Sequence, residues 1–377
     1  MITIFLLAFG IIAVVTELAY ILAWLLAWWR VRHDINTSFF PTVCVIVPCK
    51  GVDKDFQSNV TAICNQKYND YTVIFVTDTE QDPAFKLLTK IYRNNHKVSV
   101  ITAPYIAGSS GKISALIGGI HATGDVDVFV FADADIKPHD KWLTHLVDPL
   151  KDERTGAATG YRWYFPENLQ YLVVSAWNML STASIFFHIV NYTWGGSTAI
   201  TRKIFETLHI EEQWKQGFSD DLILTEAIKK AGYKIQGVPQ SIVESTYDGD
   251  FRSFLRFGTR QYTWVRWYYP SSWIFSVIGF CGGKVITIFG FLLILLGWTL
   301  PGVLMASTIV FEIINGFVAH RMLRSVMMYP KQKFGSSLSY ALMTPVVFFI
   351  IAYNNLASVF KKEIIWGGRA YRRPVKK

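Results

Sequence analysis

The sequence predicts an α/β domain built on a parallel sheet, joined to apolar helices long enough to cross a bilayer. Four short runs rich in β-branched and aromatic residues, at 43–47, 71–77, 98–102 and 126–132, alternate with stretches of helical spacing at 54–66, 83–94 and 111–122. The runs are continuously apolar rather than alternating, as expected of strands covered on both faces. Long apolar runs flank this block on both sides, each near the roughly 20 residues that a helical span needs.

The 377 residues are 51% hydrophobic and carry a net charge of +9. That length suits one catalytic-sized domain plus spans. The positive charge fits either nucleic acid or an anionic membrane surface. The basic residues flank apolar runs, and no basic, aromatic-interleaved motif is present, so a membrane partner is expected and nucleic acid is not. Cys44, Cys49, Cys64 and Cys281 show no metal-ligand spacing and are expected to be free, buried thiols. His121, His139, His145 and His188 are scattered without zinc spacing.

The first apolar run, 2–29, contains one acid, Glu17, and ends in Trp24, Trp28 and Trp29 followed by Arg30 and Arg32. An aromatic belt followed by positive charge places the emerging chain in the cytoplasm. No positive n-region or cleavage site marks a signal peptide, and Glu17 is read as a helix-packing residue. A cytosolic domain spans 40–270. Segments at 273–298, 301–319 and 338–360 follow, the first interrupted by Lys284, with a hairpin at Trp298-Thr299-Leu300-Pro301-Gly302. Arg321, Arg324, Lys331 and Lys333 precede the last segment; a basic tail at 361–377 follows it, with Lys361, Lys362, Arg369, Arg372, Arg373, Lys376 and Lys377. One crossing cannot put both basic stretches in the cytoplasm, so either the last segment is re-entrant or one stretch breaks the rule. The 169–190 stretch lacks Asp, Glu, Lys and Arg. A crossing there would separate residues 220 and 221 from 133 and 135, so it is read as an interfacial or buried helix.

In open α/β sheets ligands sit beyond the carboxyl ends of the strands. Lys50-Gly51-Val52-Asp53, Asp78 and Asp133-Ala134-Asp135 follow strands and should gather on one edge. No G-x-G-x-x-G or G-x-x-x-x-G-K-[ST] is present, nor any repeat. Two carboxylates at i and i+2 after a strand can share Mg²⁺ or Mn²⁺ and hold a diphosphate; without a cation they raise each other's pKa. Gly217-Phe218-Ser219-Asp220-Asp221-Leu222 opens a helix that Ser219 or Asp220 can cap. A cap explains one acid, not two. Arg260-Gln261-Tyr262-Thr263-Trp264-Val265-Arg266-Trp267 follows.

With these residues in hand, the chain resembles the membrane-bound family 2 glycosyltransferases with a GT-A fold, and is most similar to the ceramide glucosyltransferase branch. "PCKGVD" is similar to that branch's opening, placing Lys50 and Asp53 at the nucleotide sugar. "TDTEQDPA" matches the segment whose aspartate, here Asp78, contacts the base, and "GSSGKISAL" matches the nucleotide loop, with Lys112. Asp133 and Asp135 fit the metal-binding D-x-D. "WGGSTAITRK" resembles the glycine loop before the acceptor site, Asp220-Asp221 stands where the family has its acidic pair, and the tail "IIWGGRAYRR" is similar to the branch's basic tail.

The resemblance implies a UDP-sugar donor and a membrane lipid acceptor, ceramide-like, with a hexose, glucose in that branch, transferred with inversion. Asp133, Asp220, Arg266 and Trp267 contact the donor, Lys112 and Arg266 stabilise the leaving UDP, and Asp221 serves as base. The family's Q-x-x-R-W or R-x-x-R-W is incomplete: Arg266-Trp267 is present, but Thr263 holds the first position. Arg256, Arg260, Thr263 and Trp267 share a helix face, so Arg256 or Arg260 is a candidate for the missing donor. The aromatic cluster at 264–269 also reads as an interfacial belt. The rival expectations are a processive polysaccharide synthase and a non-catalytic membrane scaffold.

Overall fold

The computed structural model describes residues 2–31, 39–185, 187 and 190–373; Arg32, His188, Lys376 and Lys377 lie outside these. Helix α1 (Ile2–Val31) precedes a run of alternating strands and helices: β1 (Val43–Pro48), α2 (Phe56–Cys64), β2 (Tyr71–Thr77), α3 (Pro83–Tyr92), β3 (Val98–Thr102), α4 (Gly111–His121) and β4 (Val128–Ala132). The strands pair in parallel, β1 between β2 and β4, with β3 on the far side of β2. The helices are the crossovers that parallel pairing requires. Local chemistry sets their starts. Asp82 accepts from the Ala84 N–H just before Pro83 at the head of α3, and Ser110 accepts from the Ile113 N–H at the head of α4.

The sheet is mixed rather than wholly parallel. After β5 (Ile136–Lys137), α5 (Trp142–Val147), β6 (Thr155–Thr159), β7 (Arg162–Trp163) and α6 (Leu169–Ser184), strand β8 (Ser197–Thr201) inserts antiparallel between β4 and β6. Helices α7 (Arg202–Thr207), α8 (Ile210–Trp214) and α9 (Asp220–Lys230) lead to β9 (Lys234–Gly237), giving the order β3-β2-β1-β4-β8-β6-β9. Strand β10 (Val243–Ser245) joins β5 and β7 in a small second sheet. The core forms two layers. Val45, Val47, Val128 and Val130 pack on one face of the large sheet, Cys44, Ile46, Phe129 and Phe131 on the other, the period-two split of a doubly covered strand.

Helix α10 (Phe251–Tyr268), capped by Asp250 accepting from the Ser253 N–H, follows the sheets. Then come α11 (Pro270–Ser276), a π-helical turn (Val277–Gly282), α12 (Gly283–Leu295), α13 (Thr299–Ala306), α14 (Thr308–Val326) and α15 (Ser337–Val359). Among the described residues four helical segments, Ile2–Leu26, Pro270–Leu295, Thr299–Val326 and Lys331–Val359, are long and apolar enough to cross a membrane; α6 is not among them. Polar residues within them pair with one another. Lys284 and Glu312 form a buried ion pair, and Asn315 donates to Glu17 at 2.8 Å, consistent with Glu17 as a packing residue. Helix α15 packs on α14, α6 and α10, joining the apolar helices to the sheet domain.

Two segments differ from expectation. Trp264, Trp267 and Tyr268 are core residues rather than an interfacial belt. The tail folds into a hairpin, β11 (Glu363–Trp366) and β12 (Arg369–Arg372), turning at Gly367 and Gly368, both at positive φ.

Candidate active site

The carboxyl ends of β1, β2 and β4 bring Lys50, Asp53, Asp78, Asp133 and Asp135 to one edge, as expected of parallel strands. Gly51, at φ +69°, makes the turn after β1, and its N–H donates to Asp82, which also caps α3. Asp82 therefore fixes the loop that carries Lys50 and Asp53; nothing but its cap position marks it in the sequence. Lys50 Nζ lies 3.4 Å from Asp78. Asp53 is exposed and acts on Asp135 through charge.

Lys112, in the first turn of α4, is the hub. Its Nζ lies 2.7 Å from Asp133 Oδ1 and 3.2 Å from Asp220 Oδ2, and donates to the Gly195 carbonyl at 3.1 Å. Burial would lower its pKa, but Asp133, Asp220 and Asp221 outweigh that and hold it charged. Burial, reinforced by Asp221 and Asp133, pushes Asp220 up to about 6 despite Lys112. The Trp194–Ser197 loop passes this close only because two residues lack side chains. A Cβ on Gly195 would sit 2.1 Å from Asp220 Oδ2, and one on Gly196 would sit 2.4 Å from the Trp194 ring.

Asp221 begins α9 beside Asp220. Its Oδ1 accepts from Ser219 Oγ at 2.5 Å and from the Leu222 N–H at 2.8 Å. Ser219 stands at the N-cap but makes no side-chain cap; its hydroxyl is diverted to Asp221, which corrects the capping expectation for Ser219 and Asp220 alike.

The D-x-D meets the requirement for a divalent cation. Asp135 Oδ1 is buried and accepts no hydrogen bond, and burial with Asp133 alongside pushes Asp135 up to about 6. An orphaned carboxylate oxygen next to a second carboxylate is the hard donor set of Mg²⁺ or Mn²⁺. Among the described residues no group of three His, Cys, Asp or Glu could hold a metal alone, which leaves further positions for ligand oxygens and water.

Arg266 and Trp267 are not brought to the carboxylates. Arg266 donates to the carbonyls of Val359 and Lys361, each at 2.5 Å, at the end of α15, and Trp267 is buried against Trp264. Arg260, half-buried on another face of α10, is the helix's cation on the Arg162 side. Six residues of α-helix put the two arginines about 120° apart. The tail hairpin was missed entirely. The Gly367 carbonyl accepts from Lys50 at 2.9 Å, and the Arg369 guanidinium lies 3.7 Å over the Tyr105 ring and 4.0 Å from Asp78.

A mixed sheet of this order, with paired carboxylates after its fourth strand and an acidic pair heading a helix opposite, is a GT-A-like fold of the glycosyltransferase class. The comparisons name the family. The model of glycosyl transferase family 21 matches residues 7–376, and the chain belongs to that family. Among solved structures it is similar to a mannosyltransferase from Pyrobaculum calidifontis in complex with GDP-Man and Mn²⁺, at 15% identity and a TM-score of 0.47, over 93% of this chain and 99% of that one. It is also similar to GalNAc-T7 with UDP, GalNAc and Mn²⁺, at 16% identity and a TM-score of 0.42, over 56% of this chain and 45% of that one. No curated protein matches the chain significantly.

Proposed function

We propose that the protein is a multi-pass membrane enzyme, its catalytic domain on the cytoplasmic face, that transfers a hexose, glucose by resemblance, from a UDP-sugar to a hydroxyl of a membrane lipid with inversion. One observation carries this reading. Lys112 bridges Asp133 and Asp220, so the D-x-D and the acidic pair of α9 face one another across a single basic residue.

The nucleotide base lies by Asp78, between the β1 loop with Lys50 and Asp53 and the Tyr105–Arg369 stack. Lys112 neutralises the diphosphate from one side. Asp133 and Asp135 hold a divalent cation, which when bound supplies positive charge to the departing UDP. Asp221, its Oδ1 oriented by Ser219 and the Leu222 amide, takes the acceptor hydroxyl proton as the oxygen attacks the anomeric carbon. A single displacement of this kind inverts an α-linked donor. A positioned base contributes roughly 10²–10⁴-fold in rate.

The deciding experiment offers purified full-length protein with Mn²⁺ several UDP-sugars against a lipid extract and records lipid masses. One hexose added to one lipid class supports the reading. Polymer, or UDP release without a lipid shift, overturns it.

A further inference from the structure

We infer that Arg162 and Arg260 form a phosphate subsite for the acceptor, so that the lipid carries a phosphate beside its nucleophilic hydroxyl. The inference rests on the lipid-hydroxyl reading above and departs from the neutral, ceramide-like acceptor that the resemblance implies.

The two guanidinium groups approach the same ring, Arg162 Cζ 5.0 Å and Arg260 Cζ 5.3 Å from the Phe257 centroid. Arg162 also lies 5.4 Å from the Trp194 ring and 5.7 Å from the Tyr164 ring. Ring faces offset the cost of bringing these cations out of water, but they accept none of the in-plane N–H donors, of which each arginine has five. Arg162 Nε is buried and has no hydrogen-bond partner. Among the described residues neither arginine has a carboxylate within 4.0 Å, although other pairs on this edge, such as Lys112 with Asp133 and Lys50 with Asp78, do. Both side chains are only half-buried, so a ligand reaches them.

Charge then selects the ligand. The carboxylates that balance Arg162 at longer range are Asp135 and Asp133, the pair assigned to the divalent cation. With that cation in place, the two guanidiniums around Phe257 stand in an aromatic setting with no carboxylate of the described residues within 4.0 Å, and guanidinium forks are suited to binding a phosphate.

Different elements carry the two sets of cations, which favours the acceptor over the donor diphosphate as the ligand of the arginines. Lys112 lies across Asp133 on the α4 side, whereas Arg162 and Arg260 project from β7 and α10, where Trp177 of α6 packs 5.8 Å from Phe257. Helices α6 and α10 both pack on the apolar α15, so the arginines stand on elements that join the sheet domain to the apolar helices.

The test uses full-length protein in detergent with Mn²⁺ and UDP-glucose, UDP-galactose or UDP-N-acetylglucosamine. Phosphatidylglycerol and phosphatidylinositol, which carry phosphate and hydroxyl, are compared with ceramide and diacylglycerol, which carry hydroxyl alone. Hexose should appear on the phospholipids. Arg162→Gln should raise the acceptor KM about tenfold or more, as expected for a lost charge-assisted hydrogen bond, with UDP affinity retained. Arg162→Lys, which keeps the charge without the fork, should fall between. Transfer to the neutral lipids alone overturns the inference and leaves the lipid transferase standing. Equal losses of UDP and acceptor affinity in Arg162→Gln also overturn it, by assigning the arginines to the donor. Transfer to no lipid by wild-type protein that still binds UDP sinks the lipid reading and this inference together.

Discussion

Lys112 Nζ and Asp133 Oδ1 lie 2.7 Å apart, and the same nitrogen reaches Asp220 at 3.2 Å. One cation thus neutralises carboxylates from two distant parts of the chain, nearly out of water. Removing one partner of such a cluster costs about 3–5 kcal/mol because the remaining charges stay buried and unpaired. Lys112→Met should therefore lower the melting temperature markedly and abolish UDP binding. Lys112→Met with Asp220→Asn should regain part of the melting temperature but none of the UDP affinity. A double variant no more stable than the single one would show that the pair does not set the stability of the site.

Asp221 differs from its neighbour in being half-buried, with Oδ1 oriented by two donors. A base is needed only when the acceptor oxygen attacks, so Asp221→Asn should keep UDP affinity while turnover falls about 10²–10⁴-fold. Calorimetry with UDP beside a transfer assay separates the two effects. Comparable loss of both would remove the assignment.

The unsatisfied Asp135 Oδ1 makes a prediction about metal alone. Asp135→Asn should weaken Mn²⁺ binding, measured by the electron paramagnetic resonance of free Mn²⁺ with and without UDP. The same change relieves a buried like-charge contact with Asp133, so metal-free protein should be no less stable than wild type. Unchanged Mn²⁺ affinity would place the metal elsewhere.

The C-terminal hairpin reaches the nucleotide edge through Arg369 on Tyr105 and the Gly367 carbonyl on Lys50. Arg369→Ala should weaken UDP binding by several-fold, about the 1–2 kcal/mol of a partly buried cation–π contact, and leave the maximal rate largely intact. If UDP affinity holds and only turnover falls, the hairpin does not belong to the nucleotide pocket.

How much of this was legible follows from the kind of signal each residue carries. Strands β1 to β4 and the aspartates after them were readable because burial on both faces writes a continuous apolar run, and the edge residue comes next in sequence. The antiparallel β8 was not, because Ser197–Thr201 has only Ala199 and Ile200 as apolar members and its direction depends on which strands it meets. Arg266 carried the recognisable Arg-Trp pair, yet the face it occupies on α10 is set by where α15 ends. Arg162 follows a glycine and a tyrosine with no motif around it, and its environment comes from Trp194 and Phe257, far away in sequence. The tail read only as a basic stretch because its apolar members, Ile364, Trp366 and Tyr371, are interspersed with basic residues; they pack on the second core layer only once that layer exists.

The histidines of the β5–α5 corner set a pH dependence separate from catalysis. His139 and His145 lie 5.9 Å apart, ring to ring, and both ring nitrogens of His145 are buried without a partner. Burial, with His139 and Lys141 opposing a positive charge, lowers His145 to about 4, while Asp148 pulls weakly the other way. His139 is also lowered, chiefly by burial; it faces Tyr329, Asp140 and Lys141 and holds the Gln240 carbonyl at 2.6 Å. The unfolded chain therefore binds protons that the folded chain refuses between pH 6.5 and about 4. Stability from this corner is complete above pH 6.5 and is lost as pH falls toward 4. His145→Phe keeps an aromatic ring and removes the titration. Thermal unfolding in detergent at pH 7.5 and pH 5.0, two readings placed either side of the ordinary histidine value of about 6.5, should show a smaller drop in the variant than in wild type. Equal drops would mean that carboxylates elsewhere, not this pair, govern acid sensitivity.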